Sequence, residues 1–245
     1  IGTRVGYSTQ GRAFLLTEAL EFPMEDRRKR PRYMGEEYLD IVRYIGCKAS
    51  GTMPELALSS DAIARAEKLL APCRTEIKRP LVGIAPGSFF GPSKLWYPER
   101  WAAVADALVD RLDAFIVILT APIEREIYEQ IESKMRARPV PLRETPIPLE
   151  LLKAIVAELD LLLCTDCGVR HVAVALDVPT TVVMGSTDPR YTETECEKGV
   201  VVREDVDCSP CHKKVCPTDH RCMKLITPEK VFEAASNLLE LRNAP

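Results

Sequence analysis

From Leu81 onward the chain alternates short apolar, β-branched runs with helical stretches, and this alternation limits the fold more than any other feature. The strand-like runs are Leu81–Ala85, Phe115–Leu119, Leu161–Cys164 and Thr180–Met184. Between and after them the spacing predicts helices over about Glu99–Arg111, Glu124–Met135, Leu149–Glu158 and Val169–Leu176. An amphipathic helix over Thr227–Leu241 closes the chain, its start marked by Thr227-Pro228-Glu229. Strands alternating with helices in this way build a parallel sheet covered on both faces, a Rossmann-like domain.

The first 80 residues lack that regularity. Arg12–Leu20 and Glu36–Ile45 are expected to form helical pieces, separated by a proline-bracketed charged loop over residues 23–32. A further helix is predicted over Ala62–Leu70, ended by Pro72, with Thr75–Pro80 as a linker. The expected organisation is a partial domain over residues 1–74 and a complete Rossmann-like domain over 75–245. Because the chain starts at Ile1, it is expected to be a piece of a longer protein.

Composition narrows the function classes. Lys and Arg total 33 against 36 Asp and Glu, a net charge of −3, so nucleic acid is not an expected partner. No apolar run approaches the ~18 residues of a membrane-spanning helix. Four of the nine cysteines crowd one segment instead of forming a dispersed disulfide framework, which points to a reducing, cytoplasmic setting.

In an open α/β sheet, ligands bind beyond the carboxyl ends of the strands, and three unusual loops fall there. The first runs from Pro86 to Pro98, with Gly87 and Gly91 for close backbone approach, hydroxyls on Ser88 and Ser93, and the charge of Lys94. That set suits a phosphate, although it is neither a Walker A motif nor GxGxxG; it also suits a plain strand-to-helix loop. The second, Cys164-Thr165-Asp166-Cys167-Gly168-Val169-Arg170-His171, opens a helix whose first N–H groups form an anion site. Asp166 as a simple cap and His171 as a core histidine are the plainer readings. The third, Gly185-Ser186-Thr187-Asp188-Pro189, is a second phosphate-facing turn or an ordinary β-turn.

Two further segments carry chemistry. Cys208-x2-Cys211-x4-Cys216-x5-Cys222, with His212 and His220 inside it, has the ligand types of a structural zinc site. Reduced free thiols, or a redox clip, fit the same spacing. Arg27, Arg28, Lys29, Arg30 and Arg32 form a basic run that suits an anionic membrane surface or a solvated loop.

The segments PGSFFGPSKLWYPERWAAVADAL, TDCGVRHVAVALDVPTTVVMGSTDP and CSPCHKKVCPTDHRCMKLITPEKV together resemble the ADP-heptose:lipopolysaccharide heptosyltransferases of glycosyltransferase family 9, nearest to the second-heptose type. GRAFLLTEALEFP and EEYLDIVRYIG are similar to the later part of that family's acceptor domain. The resemblance implies a GT-B fold, with the C-terminal Rossmann-like domain holding the nucleotide sugar. It implies inverting, metal-independent transfer of heptose from ADP-heptose to the lipopolysaccharide inner core, on the cytoplasmic side and peripheral to the inner membrane. Ser88 and Lys94 would bind the diphosphate, and Lys94 would stabilise charge on the departing ADP. Asp166, Cys167, Gly168, His171 and Thr187 would face the donor, Glu124 the ribose and Ile147 the adenine.

Two departures from the family pattern stand out. Cys167 occupies a position where the family usually has Thr. The glycine-rich first loop and the acceptor's general base have no counterpart in these residues, so the resemblance implies donor binding without turnover for this chain by itself. A non-catalytic nucleotide-binding or zinc-clipped module, and a sugar-nucleotide epimerase on the same architecture, are the alternative readings.

Overall fold

A computed structural model of the chain describes residues 2–9, 11–25, 28–49, 51, 53–74, 76–77, 79–142 and 147–243. The chain divides into two compact units: residues 1–53 with 189–196, and residues 54–188 with 197–245.

The smaller unit contains β1 (Val5–Tyr7) paired in parallel with β2 (Glu18–Leu20), the short antiparallel pair β3 (Met24–Glu25) and β4 (Arg28–Lys29), and helix α1 (Met34–Tyr44). Arg12–Leu20 is therefore not a helical piece. Ala13–Leu15 makes a single 3₁₀ turn, and the chain then extends to pair with β1. Tyr7 stacks on Phe22 with ring centroids 3.9 Å apart, and its hydroxyl donates to Asp40 at 3.0 Å. Part of the expected basic run is spent inside this unit. Lys29 pairs with Glu37 at 2.6 Å and Arg32 pairs with Asp40, leaving Arg30 exposed. Arg27 lies outside the described residues. Two of the five cations, Lys29 and Arg32, are thus already paired within this unit.

The larger unit is built on a five-stranded, all-parallel sheet. In chain order its elements are α2 (Ser60–Leu70), β5 (Leu81–Ala85), α3 (Pro98–Leu112), β6 (Phe115–Ile118) and α4 (Arg125–Glu132). They continue with α5 (Leu149–Ala157), β7 (Leu161–Thr165), α6 (Gly168–Ala175), β8 (Thr180–Val183), β9 (Gly199–Val202), α7 (Arg221–Lys224) and α8 (Pro228–Asn243). The strand order is β6-β5-β7-β8-β9. Both faces are covered, so the strands read as nearly continuous apolar runs. Val82 and Ile84 face the core shared with Trp101, Leu108 and Val231 of α3 and α8, while Leu81 and Ala85 face the core shared with Leu70, Leu151 and Ile155 of α2 and α5.

Three details differ from the sequence reading. Helix α2 packs on α5, so the larger unit starts at Pro54 and not at residue 75, because α2 buries its Ala62, Ala66 and Leu70 stripe in that core. Residues 189–196 belong with the smaller unit. The fifth strand, β9, was not anticipated, although the Val200-Val201-Val202 run is a fair β signal. No helix among the described residues is long and apolar enough to cross a membrane.

Candidate functional site

The chain enters the large sheet at β5, turns to β6 on one side, and returns to β7 on the other. The loops leaving β5 and β7 therefore diverge, and a crevice opens between them at the carboxyl ends of the strands. A cavity of about 400 Å³ lies there. Gly87 and Ser88 line it after β5, Ala121 and Glu124 after β6, Ile147 and Leu152 at α5, and Cys167, Gly168 and Val172 at α6. Five expected donor-facing residues are thus brought together: Ser88, Glu124, Ile147, Cys167 and Gly168. A second cavity, about 450 Å³, shares Gly87, Ser88 and Glu124 and is walled by Trp96, Tyr97 and His220.

Lys94, Asp166, Thr187 and His171 do not line the 400 Å³ cavity. The first three form a buried polar cluster next to Cys167. The Lys94 ammonium donates to the Asp166 carboxylate at 2.6 Å and to the Asp166 carbonyl at 3.1 Å, and the Thr187 hydroxyl donates to the same carboxylate at 2.8 Å. Arg170, fully buried, reaches the other Asp166 oxygen at 3.5 Å and forks onto Glu197 at 2.8 and 2.7 Å. The Thr180 hydroxyl completes the chain, donating to Glu197 at 2.7 Å. Burial pushes the Asp166 carboxyl up, but Lys94, Thr187 and Arg170 outweigh it and hold it below the ordinary carboxylate value. For His171, burial and then the Arg170 charge lower the imidazole pKa below its ordinary value.

The linkage of Arg170 to Glu197 and Thr180 was not legible in the sequence. A buried guanidinium is tolerable only with a carboxylate partner, and its partner lies 27 positions away, beyond any local pattern.

Several local roles also change. Gly87 lines the cavity and also faces Glu124: a Cβ there would sit 1.9 Å from the carboxylate, which accepts the Ala121 N–H at 2.9 Å. Gly91 is needed at φ +148°, where a Cβ would meet the Lys214 carbonyl at 2.6 Å. Ser93 is buried and offers no hydroxyl to a ligand, because it donates to the Lys213 carbonyl. Cys167 stands in the N-cap position of α6, and its side chain makes no capping hydrogen bond there.

The cysteine-rich segment is folded onto these loops. The Ser209 hydroxyl donates to the Gly185 carbonyl at 2.6 Å, and the N–H groups of Cys211 and His212 donate to the Ser186 carbonyl at 3.1 and 2.8 Å. His220 is already committed, its Nε2 at 2.9 Å from the Ser93 carbonyl. Cys222 is a core residue against Gly185 and Met223, while Cys208 is exposed. Among the described residues no three His, Cys, Asp or Glu side chains converge as metal ligands. The structural zinc expected at Cys208, Cys211, Cys216 and Cys222 therefore has no matching donor set in this arrangement.

The family model for glycosyltransferase family 9 (heptosyltransferase) matches residues 1–221. Lipopolysaccharide heptosyltransferase 2 of Salmonella typhimurium is 30% identical over 174 residues, covering 66% of this chain and 47% of that protein. Lipooligosaccharide heptosyltransferase 2 of Campylobacter jejuni is 28% identical over 191 residues, covering 72% of this chain and 59% of that protein. The chain thus spans roughly half the length of these relatives. The solved E. coli ADP-heptose lps heptosyltransferase II covers the whole chain at a TM-score of 0.75 and 23% identity, the match taking in 72% of that structure. A glycosyl transferase family 9 structure from Veillonella parvula gives a TM-score of 0.74 over 98% of the chain and 68% of that structure, at 21% identity. The fold is therefore of the GT-B type, and the chain belongs to glycosyltransferase family 9, the heptosyltransferases.

Proposed function

We propose that the crevice between β5 and β7 binds the ADP part of ADP-heptose, and that the complete protein transfers the heptose to the inner core of lipopolysaccharide. The observation that supports this reading is the convergence on one cavity of Ser88, Glu124, Ile147, Cys167 and Gly168 from four separate segments. Ile147 offers an apolar wall for the adenine and Glu124 an acceptor for ribose hydroxyls. Ser88 and the N–H of Gly168 offer donors to the diphosphate.

Transfer with inversion is a direct displacement at the anomeric carbon. An acceptor hydroxyl attacks, the bond to the phosphate oxygen breaks, and negative charge builds on ADP. Lys94, held on Asp166 next to Cys167, supplies the compensating positive charge, the part that a metal ion plays elsewhere. Its pairing with Asp166 keeps the ammonium in place before the donor arrives, so little reorganisation is needed. On this reading the larger unit carries the donor half of the reaction, working on the cytoplasmic side at the membrane surface.

Calorimetric titration with ADP and with UDP tests the assignment. ADP should bind, UDP should bind more weakly, and Lys94→Ala should reduce ADP affinity by about ten-fold or more, equivalent to ~1.4 kcal/mol. Equal affinity for the two nucleotides, or ADP binding unaffected by Lys94→Ala, would overturn it.

A further inference from the structure

We propose that Cys164 and Cys167 form an oxidisable dithiol in the wall of the crevice, in which Cys167 reacts with a peroxide and Cys164 closes the disulfide. Cys164 is the fourth residue of β7 and is fully buried. Cys167 is the N-cap residue of α6, half-buried, and lines the 400 Å³ cavity. Their separation of three positions is the Cys-x-x-Cys spacing of thiol–disulfide sites, here at the end of a strand instead of inside a helix.

The two sulfurs have opposite surroundings, and these assign the roles. Cys167 packs against the core cluster that contains Cys164, and the neighbouring Cys164 thiol, more than any other group, brings its pKa down to about 7 against the cost of burial. Cys164 is driven the other way by burial in apolar surroundings, well above an ordinary thiol. One sulfur is thus nucleophilic and reachable, and its neighbour is held back as a protonated reserve.

The reaction balances with hydrogen peroxide as the oxidant. The Cys167 thiolate attacks one peroxide oxygen, the O–O bond breaks, and hydroxide leaves and takes a proton to become water. Cys167 is now a sulfenic acid. The Cys164 sulfur then attacks the Cys167 sulfur, the S–O bond breaks, and the hydroxyl leaves as water with the Cys164 proton. Two thiols lose two electrons and one peroxide becomes two waters. Oxidation replaces the Cys167 thiolate by a neutral disulfide sulfur and so changes the charge of the crevice wall, whichever nucleotide the crevice accepts.

Both cysteines fall in one tryptic peptide, residues 154–170, which makes the test direct. The full chain is treated with equimolar hydrogen peroxide, remaining thiols are blocked with iodoacetamide, and peptides are weighed. The expected product is peptide 154–170 without label and two hydrogens lighter, converted to the doubly labelled form by prior reduction with dithiothreitol. Cys164→Ala should leave Cys167 as a sulfenic acid that dimedone captures. Cys167→Thr should abolish oxidation of the peptide while leaving the circular dichroism spectrum unchanged. Full labelling of both cysteines after peroxide, or oxidation confined to residues 208–222, would overturn the proposal. So would a Cys164→Ala protein in which Cys167 takes up no dimedone.

Discussion

The Lys94 ammonium lies 2.6 Å from the Asp166 carboxylate although 72 positions separate the two residues. Lys94 is in the loop after β5 and Asp166 in the loop after β7, so the pair spans the point where the strand order reverses. Asp166 stays tied to Thr187 and Arg170 when Lys94 is removed. A double-mutant cycle of Lys94→Met and Asp166→Asn, followed by urea unfolding, should therefore give a coupling of about 1–3 kcal/mol, short of the cost of a stranded buried charge.

The same carboxylate sets an acid limit on stability. Its folded pKa is lowered, so its contribution is complete above the unfolded value of about 3.9 and is lost as pH falls through the lowered folded value. Thermal melts between pH 7 and pH 2.5 should show wild type losing stability in that acid range. Asp166→Asn should be less stable at pH 7 and flatter below pH 4.

Arg170 and Glu197 should be the costliest single changes in the larger unit. Both side chains are almost wholly buried, and removing Arg170 takes away the guanidinium that faces the Glu197 carboxylate. Arg170→Met should cost roughly 3–5 kcal/mol, with the Arg170→Met, Glu197→Met double variant recovering part of the loss. Denaturant midpoints of the three variants measure this.

The two glycines of the first loop should fail differently. In Gly87→Ala the clash is with the end of the Glu124 side chain, which can swing away, so unfolding should change by less than about 1 kcal/mol while ADP affinity drops. In Gly91→Ala the new Cβ meets backbone at a φ of +148°, and the loss should be about 2–3 kcal/mol. Parallel melts and ADP titrations separate the two.

Cys167 alkylation should report its surroundings. The rate of iodoacetamide labelling should rise with pH around a midpoint of about 7, and Cys164→Ala should move that midpoint upward by removing the largest cause of the lowering. Peptide-resolved labelling rates across pH 5.5–9 read both.

Much of the architecture was legible from residues 81–245 because it rests on local rules. Runs such as Leu161–Cys164 bury every side chain only in a sheet covered on both faces, and helices between them leave a parallel sheet as the answer. The loops that would matter could likewise be named, since strand ends are where such sheets bind ligands. Smaller pieces read less well: Arg12–Leu20 looked helical because nine residues are too few to separate the two periods, and β1 captured its end as a strand.

The sequence by itself determined which residue types stand at the strand ends: Ser88, Lys94, Asp166, Cys167 and Thr187. Only the tertiary structure decided what each one touches. It gave Asp166 to Lys94, Arg170 to Glu197, Gly87 to the Glu124 carboxylate and Gly91 to the backbone of Lys214. The physical reason is the range of the forces. Periodicity and turn chemistry act over a few residues, whereas a buried charge or a missing Cβ is satisfied by whatever the folded chain places beside it.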